Sequence, residues 1–143
     1  ISDLTTIGEG LNQDKVHSSP AVTEALLVNG AAFGSFAGAP ITADKTKTMA
    51  ASPLGHVDGT EPPVMLLHGS ADTLVSPRQS KHFYDALKAK KTDVSYVLVE
   101  GAHHGDDPWF QQPVIDRVVT WFKAKLGGEK SVAGKTVDRG ANL

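Results

Sequence analysis

From Val64 onward the apolar and polar positions fall into a regular order. Val64-Met65-Leu66-Leu67-His68 is a continuous apolar run between Pro62-Pro63 and Gly69. A run that short, bounded by turn residues, predicts a strand buried on both faces, as in a parallel sheet. Pro77 to Lys91 predicts a helix with Ser76 as its cap and with Phe83, Ala86 and Leu87 turned inward. Val94 to Val99 is β-branched and predicts a second strand. Pro113 to Leu126 predicts an amphipathic helix, because Val114, Ile115, Val118, Val119, Phe122 and Leu126 recur at helical spacing. Gly127-Gly128 ends it, and Glu129 to Leu143 is polar and punctuated by glycine.

The first part of the chain is less regular. Ser18-Ser19-Pro20 predicts a helix start, with the helix running through Glu24-Ala25-Leu26-Leu27 to Gly30. Small residues dominate from Ala31 to Pro40, and Lys45 to Ala51 predicts one short helix. Pro53, Gly55, Gly59, Pro62 and Pro63 then interrupt regular structure repeatedly. The organisation expected is a connecting, cap-like region over 1–62, an α/β unit over 63–128 and an extended tail over 129–143.

Strand–loop–helix repeated twice implies parallel strands with helices packed on them. In open sheets of this kind the functional loops lie beyond the carboxyl ends of the strands. Two loops qualify: Gly69 to Ser76, which carries Asp72, and Gly101 to Asp107, which carries His103 and His104. Neighbouring strands end side by side, so Asp72 and one of the two histidines are expected within hydrogen-bond reach. A carboxylate beside an imidazole fixes its tautomer and suits it to general base work near neutral pH.

Plainer readings stand beside this one. Ser70-Ala71-Asp72 is ordinary turn chemistry, and the two histidines suit an exposed loop. His-His-Gly-Asp-Asp also concentrates metal-ligand types, but no His-Glu-x-x-His or similar partner motif accompanies it, so no metal or cofactor is expected. Asp106 and Asp107 are expected to cap the segment leading to Trp109-Phe110. His68 closes the first strand, where it can pack or orient the Asp72 loop. His17, His56 and His82 are scattered, and Trp121 is expected to pack.

Composition narrows the class further. The chain has 143 residues, 40% apolar, with a net charge of −2. That supports a folded core and lacks the basic stripe of a nucleic-acid binder. No apolar run approaches the roughly 18 residues of a membrane span. There are no cysteines, so thiol nucleophiles, disulfides and Cys-ligated zinc are excluded.

At its two loops the sequence resembles the α/β-hydrolase superfamily. Pro63 to Pro77 is similar to the acid loop of that fold: a buried strand, His68-Gly69-x-x-Asp72, then a helix begun by proline. Val99 to Gly105 is similar to its histidine loop, which places the catalytic histidine at His104, directly before Gly105. Ser2-Asp3-Leu4-Thr5, Ser18-Ser19-Pro20, Glu24-Ala25-Leu26-Leu27 and Ala51-Ser52-Pro53-Leu54 resemble the esterase/lipase branch that includes feruloyl, acetyl-xylan and tannase-like esterases. The order Asp72 then His104 suits that fold.

The resemblance implies the C-terminal portion of an α/β-hydrolase fold with an incomplete sheet. It implies carboxylic-ester hydrolysis through an acyl-enzyme, with Asp72 orienting His104. Phe33, Phe36, Trp109 and Phe110 are expected to line the substrate side, and a small-molecule ester is the expected substrate. The nucleophile is what departs from the pattern. That superfamily carries its serine in a G-x-S-x-G turn, and no serine here has glycine two residues away on both sides. Together with the start at Ile1, this predicts that the serine lies upstream. The isolated chain is expected to be inactive and to pair with an N-terminal half or a second copy of itself. A prolyl-oligopeptidase-like peptidase and a non-catalytic α/β module are the competing readings. Neither a nucleic acid nor a membrane is an expected partner. A secreted location would rest only on analogy with cell-wall esterases.

Overall fold

The computed structural model describes residues 1–10 and 43–127. The helix expected near 20–30, Phe33, Phe36 and the tail over 129–143 lie outside the described residues.

The described elements follow the expected order. Helix α1 (Lys45–Ala50) opens on Asp44, whose carboxylate accepts from the Lys47 N–H at 3.0 Å. Strand β1 (Val64–Gly69), helix α2 (Pro77–Ala89), strand β2 (Val94–Val99) and helix α3 (Gln112–Leu126) then alternate. The strands are parallel neighbours, with Val64 opposite Val94 and Gly69 opposite Val99. In that register Leu66, Tyr96, His68 and Leu98 share one face, and Met65, Ser95, Leu67 and Val97 share the other.

Helix α2 covers the first face. Its Leu87 is fully buried, the Tyr96 hydroxyl donates to the Pro77 carbonyl, and the Tyr84 and Tyr96 rings lie 5.8 Å apart. The helix stops two residues before the predicted end. Lys91 adopts a left-handed φ of 65°, and the Thr92 N–H turns back to the Leu87 carbonyl while Lys91 N–H reaches Lys88. This is the left-handed closure that usually takes glycine, and a lysine there gave no signal in the sequence.

Helix α3 lies over the second face, with Pro113, Arg117 and Trp121 across a groove from Met65, Ser95 and Val97. An ion pair from Lys125 to Asp93 ties its last turn to the start of β2. Its apolar stripe is not covered by described residues. Ile115, Val119 and Phe122 are exposed, and Leu126 is 76% exposed. The strands depart from expectation in the same way: Val64 to Leu67 are half-buried rather than buried on both faces. The reason is arithmetic. Among the described residues each of the two strands has one partner and keeps an open edge, and one helix lies on each face, so much of the sheet stays accessible.

The N-terminal segment is fastened to α2 chiefly by the Gln79 side chain, with an exposed Arg78–Glu9 ion pair beside it. Gln79 is buried; its Oε1 accepts from the N–H groups of Ser2 (3.0 Å) and Asp3 (2.8 Å). Its Nε2 donates to the carbonyls of Asp3 (2.9 Å) and Thr6 (3.1 Å). The same segment meets the Ala51-Ser52-Pro53 turn, where Ser52 Oγ accepts from Leu4 N–H and donates to the Thr48 carbonyl. Gln79→Ala strands several backbone groups at once. We expect it to cost about 2 kcal/mol, read in thermal unfolding, and to speed amide exchange at Ser2 and Asp3.

Candidate active site

The acid loop leaves β1 at Gly69 and the histidine loop leaves β2 at Val99, so parallel pairing brings both to one end of the sheet. Backbone bonds continue the ladder past the strands. Ser70 N–H donates to Val99 O (3.0 Å) and Ala71 N–H to Ala102 O (3.0 Å). Gly101 N–H donates to Ser70 Oγ at 2.9 Å. Gly69 permits this approach: a Cβ there would stand 2.3 Å from the Ala102 carbonyl oxygen and 2.7 Å from that of His103.

The seam places Asp72 and His104 together. Asp72 Oδ1 accepts from the N–H groups of Leu74 (2.8 Å) and Val75 (2.9 Å), an Asx-type turn that orients the carboxylate. Its Oδ2 lies 2.8 Å from His104 Nδ1. The Asp72 side chain is 3% exposed and the His104 side chain 54% exposed. Burial alone would raise the Asp72 carboxyl. The Val75 N–H, the His104 imidazole and the Leu74 N–H outweigh it and hold Asp72 below the usual carboxylate range. The acid is therefore an anion at neutral pH. With Nδ1 committed to it, Nε2 is the nitrogen of His104 left for proton transfer. Gly105, at a φ of 87°, turns the chain immediately after the histidine.

The neighbouring residues divide between the site and its scaffold. A cleft of about 240 Å³ beside the pair is lined by Leu67, His68, Asp72, His104, Gly105 and Trp109. Trp109 thus reaches the site, and its indole Nε1–H donates to the His103 carbonyl at 2.8 Å. Phe110 does not line this cleft among the described residues and is 71% exposed. The 3-10 turn Asp107–Phe110 turns adjacent side chains in different directions, and only Trp109 faces the loop. His103 is exposed and contributes backbone alone: its N–H donates to Asp106 Oδ1 at 3.0 Å. Asp106 stands at the N-cap of that turn as expected, its carbonyl accepting from Trp109 N–H at 3.1 Å while its side chain turns back to His103 rather than onto the turn. Among the described residues no group of three or more His, Cys, Asp or Glu could hold a metal ion. Ser80, on α2, went unnoticed in the sequence; its Oγ lies 2.6 Å from His68 Nδ1. A serine three residues into a helix carries no signal of such a contact.

Known proteins share this arrangement of elements. Residues 21–129 match the family described as the prolyl oligopeptidase family. Esterase LipC of Mycobacterium tuberculosis is 36% identical over 58 residues, which cover 40% of this chain and 14% of that protein. The probable isoprenylcysteine alpha-carbonyl methylesterase ICMEL1 of Arabidopsis thaliana is 30% identical over 90 residues, covering 60% of this chain and 19% of that one. The chain thus matches less than a fifth of the length of either relative. Among solved structures, native esterase 2 of Thermogutta terrifontis superposes with a TM-score of 0.50 at 26% identity, covering 62% of this chain and 33% of that one. A truncated carbohydrate esterase from gut microbiota superposes with a TM-score of 0.55 at 21% identity, covering 64% of this chain and 31% of that one, a likeness of fold. With a family match across most of its length and the βαβα core and loop seam described above, the chain belongs to the prolyl oligopeptidase family of the α/β-hydrolase superfamily.

Proposed function

We propose that this chain supplies the acid and the histidine of a serine carboxylic-ester hydrolase. The observation that carries the reading is the 2.8 Å contact from His104 Nδ1 to the buried, doubly anchored Asp72 carboxylate. The serine comes from a segment outside these 143 residues, since no nucleophile elbow occurs within them. In the reaction His104 Nε2 takes the serine hydroxyl proton as the serine oxygen bonds to the ester carbonyl carbon. The imidazolium, held by Asp72, then protonates the departing alkoxide, leaving an acyl-enzyme. Water repeats the cycle and releases the acid.

Esters are favoured over peptides because the named relatives and the solved structure at 26% identity are esterases. The exposed stripe of α3 and the open sheet edges are the surfaces for the N-terminal half of the same hydrolase. In a complete α/β sheet those surfaces are interior.

The purified chain alone is expected to leave p-nitrophenyl acetate unhydrolysed beyond the buffer rate. Turnover by the chain alone that His104→Ala abolishes would overturn the shared-site reading. Once the nucleophile segment is supplied, a p-nitrophenyl ester should be cleaved and a prolyl p-nitroanilide should not. The reverse preference would replace the esterase with a peptidase.

A further inference from the structure

The Asp72–His104 pair has a third member that the reaction does not consume. His68, the penultimate residue of β1, is buried against the same carboxylate. Its Nε2 lies 2.9 Å from the Val75 carbonyl oxygen and 3.3 Å from Asp72 Oδ2. Its Nδ1 lies 2.6 Å from Ser80 Oγ on α2.

These contacts define the tautomer. A carbonyl oxygen only accepts, so Nε2 carries the proton. Nδ1 of the neutral ring then accepts from the Ser80 hydroxyl. The proton on Nε2 is donated to Val75 O, and Asp72 Oδ2, the oxygen that also receives His104, lies beside the ring at 3.3 Å. Asp72 Oδ1 is already held by two backbone N–H groups, so Oδ2 is the carboxylate oxygen with more freedom to shift away from His104. The positive N–H edge of the His68 ring beside Oδ2 attracts that oxygen, resists its displacement and favours the anion.

We propose that His68 is a positioning residue, locked by Ser80 and Val75, that holds Asp72 Oδ2 in line with His104 Nδ1. In this role it moves no proton. The proposal rests on the reading of Asp72 and His104 as an acid–base pair.

Two substitutions keep opposite halves of the imidazole. In His68→Gln the amide nitrogen reaches the Nε2 position and keeps the donor to Val75 O beside Asp72 Oδ2. In His68→Asn the amide reaches only the Nδ1 position and keeps the Ser80 contact. The readout is the low-field His104 Nδ1–H proton signal, followed by NMR in the 143-residue chain, with folding judged from dispersion of the amide spectrum. Glutamine should retain the signal. Asparagine should shift it upfield and speed its exchange with water about tenfold. Equal behaviour of the two folded variants, or loss in glutamine alone, would overturn the proposal. Asp72→Asn is the control. If it leaves the signal untouched, the acid–base pair itself is wrong. If it removes the signal while both His68 variants keep it, only the role of His68 fails.

Discussion

Asp72→Asn is expected to lower kcat of the complete hydrolase on the order of 10⁴-fold, the scale at which an orienting aspartate matters in such triads, while leaving the loop in place. The amide oxygen of asparagine can still accept from Leu74 and Val75, which hold Oδ1 at 2.8 and 2.9 Å. What changes is the other atom. An NH₂ group replaces Oδ2 and can only donate, so His104 Nδ1 must accept. The imidazole proton then sits on Nε2, where it cannot receive the serine proton. Steady-state rates on a p-nitrophenyl ester check the loss, and a thermal melt checks that the fold survives.

The same substitution has a signature in pH. The folded Asp72 carboxyl titrates below its unfolded value of about 3.9, because the N–H donors and His104 outweigh burial. A depressed carboxylate contributes stability above the unfolded pKa and loses it as pH falls through the folded one. Acid should therefore destabilise the native chain below about pH 4, and Asp72→Asn should remove that contribution. Urea midpoints measured from neutral to strongly acidic pH test the sign.

Gly69→Ala is the second large effect, and its cause is purely steric. The added Cβ would meet backbone, at 2.3 Å from Ala102 O and 2.7 Å from His103 O. Neither oxygen sits on a flexible side chain, so the acid and histidine loops must part. That breaks the bond from Ala71 N–H to Ala102 O and draws His104 away from Asp72. We expect a cost of about 3 kcal/mol or more, or a drop in Tm of roughly 10–20 °C, together with loss of hydrolysis in the complete enzyme. Gly105→Ala provides the contrast. Nothing lies within 4 Å of its Cβ, and only the φ of 87° opposes it, so about 1 kcal/mol is expected. If the two glycines cost the same, close approach is not what Gly69 provides.

Much of the fold was legible because local signals agreed with one another. The proline–apolar–glycine boundaries of β1, the β-branched run of β2 and the Ser76-Pro77 helix start each point to the element found there. What local signals did not show has physical causes. Lys91 ends α2 early in a conformation that only its surroundings justify. Phe110 points to solvent because the turn that aims Trp109 inward cannot aim its neighbour the same way.

The candidate site divides similarly. That Asp72 and a histidine belong together followed from parallel strands ending side by side. The resemblance of the loop to a histidine turn favoured His104 over His103, and the structure places the His104 ring on Asp72. The roles of Gly69 and Ser80 were not legible, since both depend on contacts across separate elements.

The sequence by itself therefore determined the alternation of strands and helices, the two loops that bring Asp72 and His104 together and the absence of a nucleophile elbow. These depend on residue types and spacings that act over a few positions. Only the tertiary structure decided which lone pair of Asp72 meets which imidazole, what holds His68 in one tautomer and how much apolar surface α3 leaves exposed. Those outcomes depend on distances between segments far apart in the chain, which pack to within tenths of an ångström and leave no trace in local patterning.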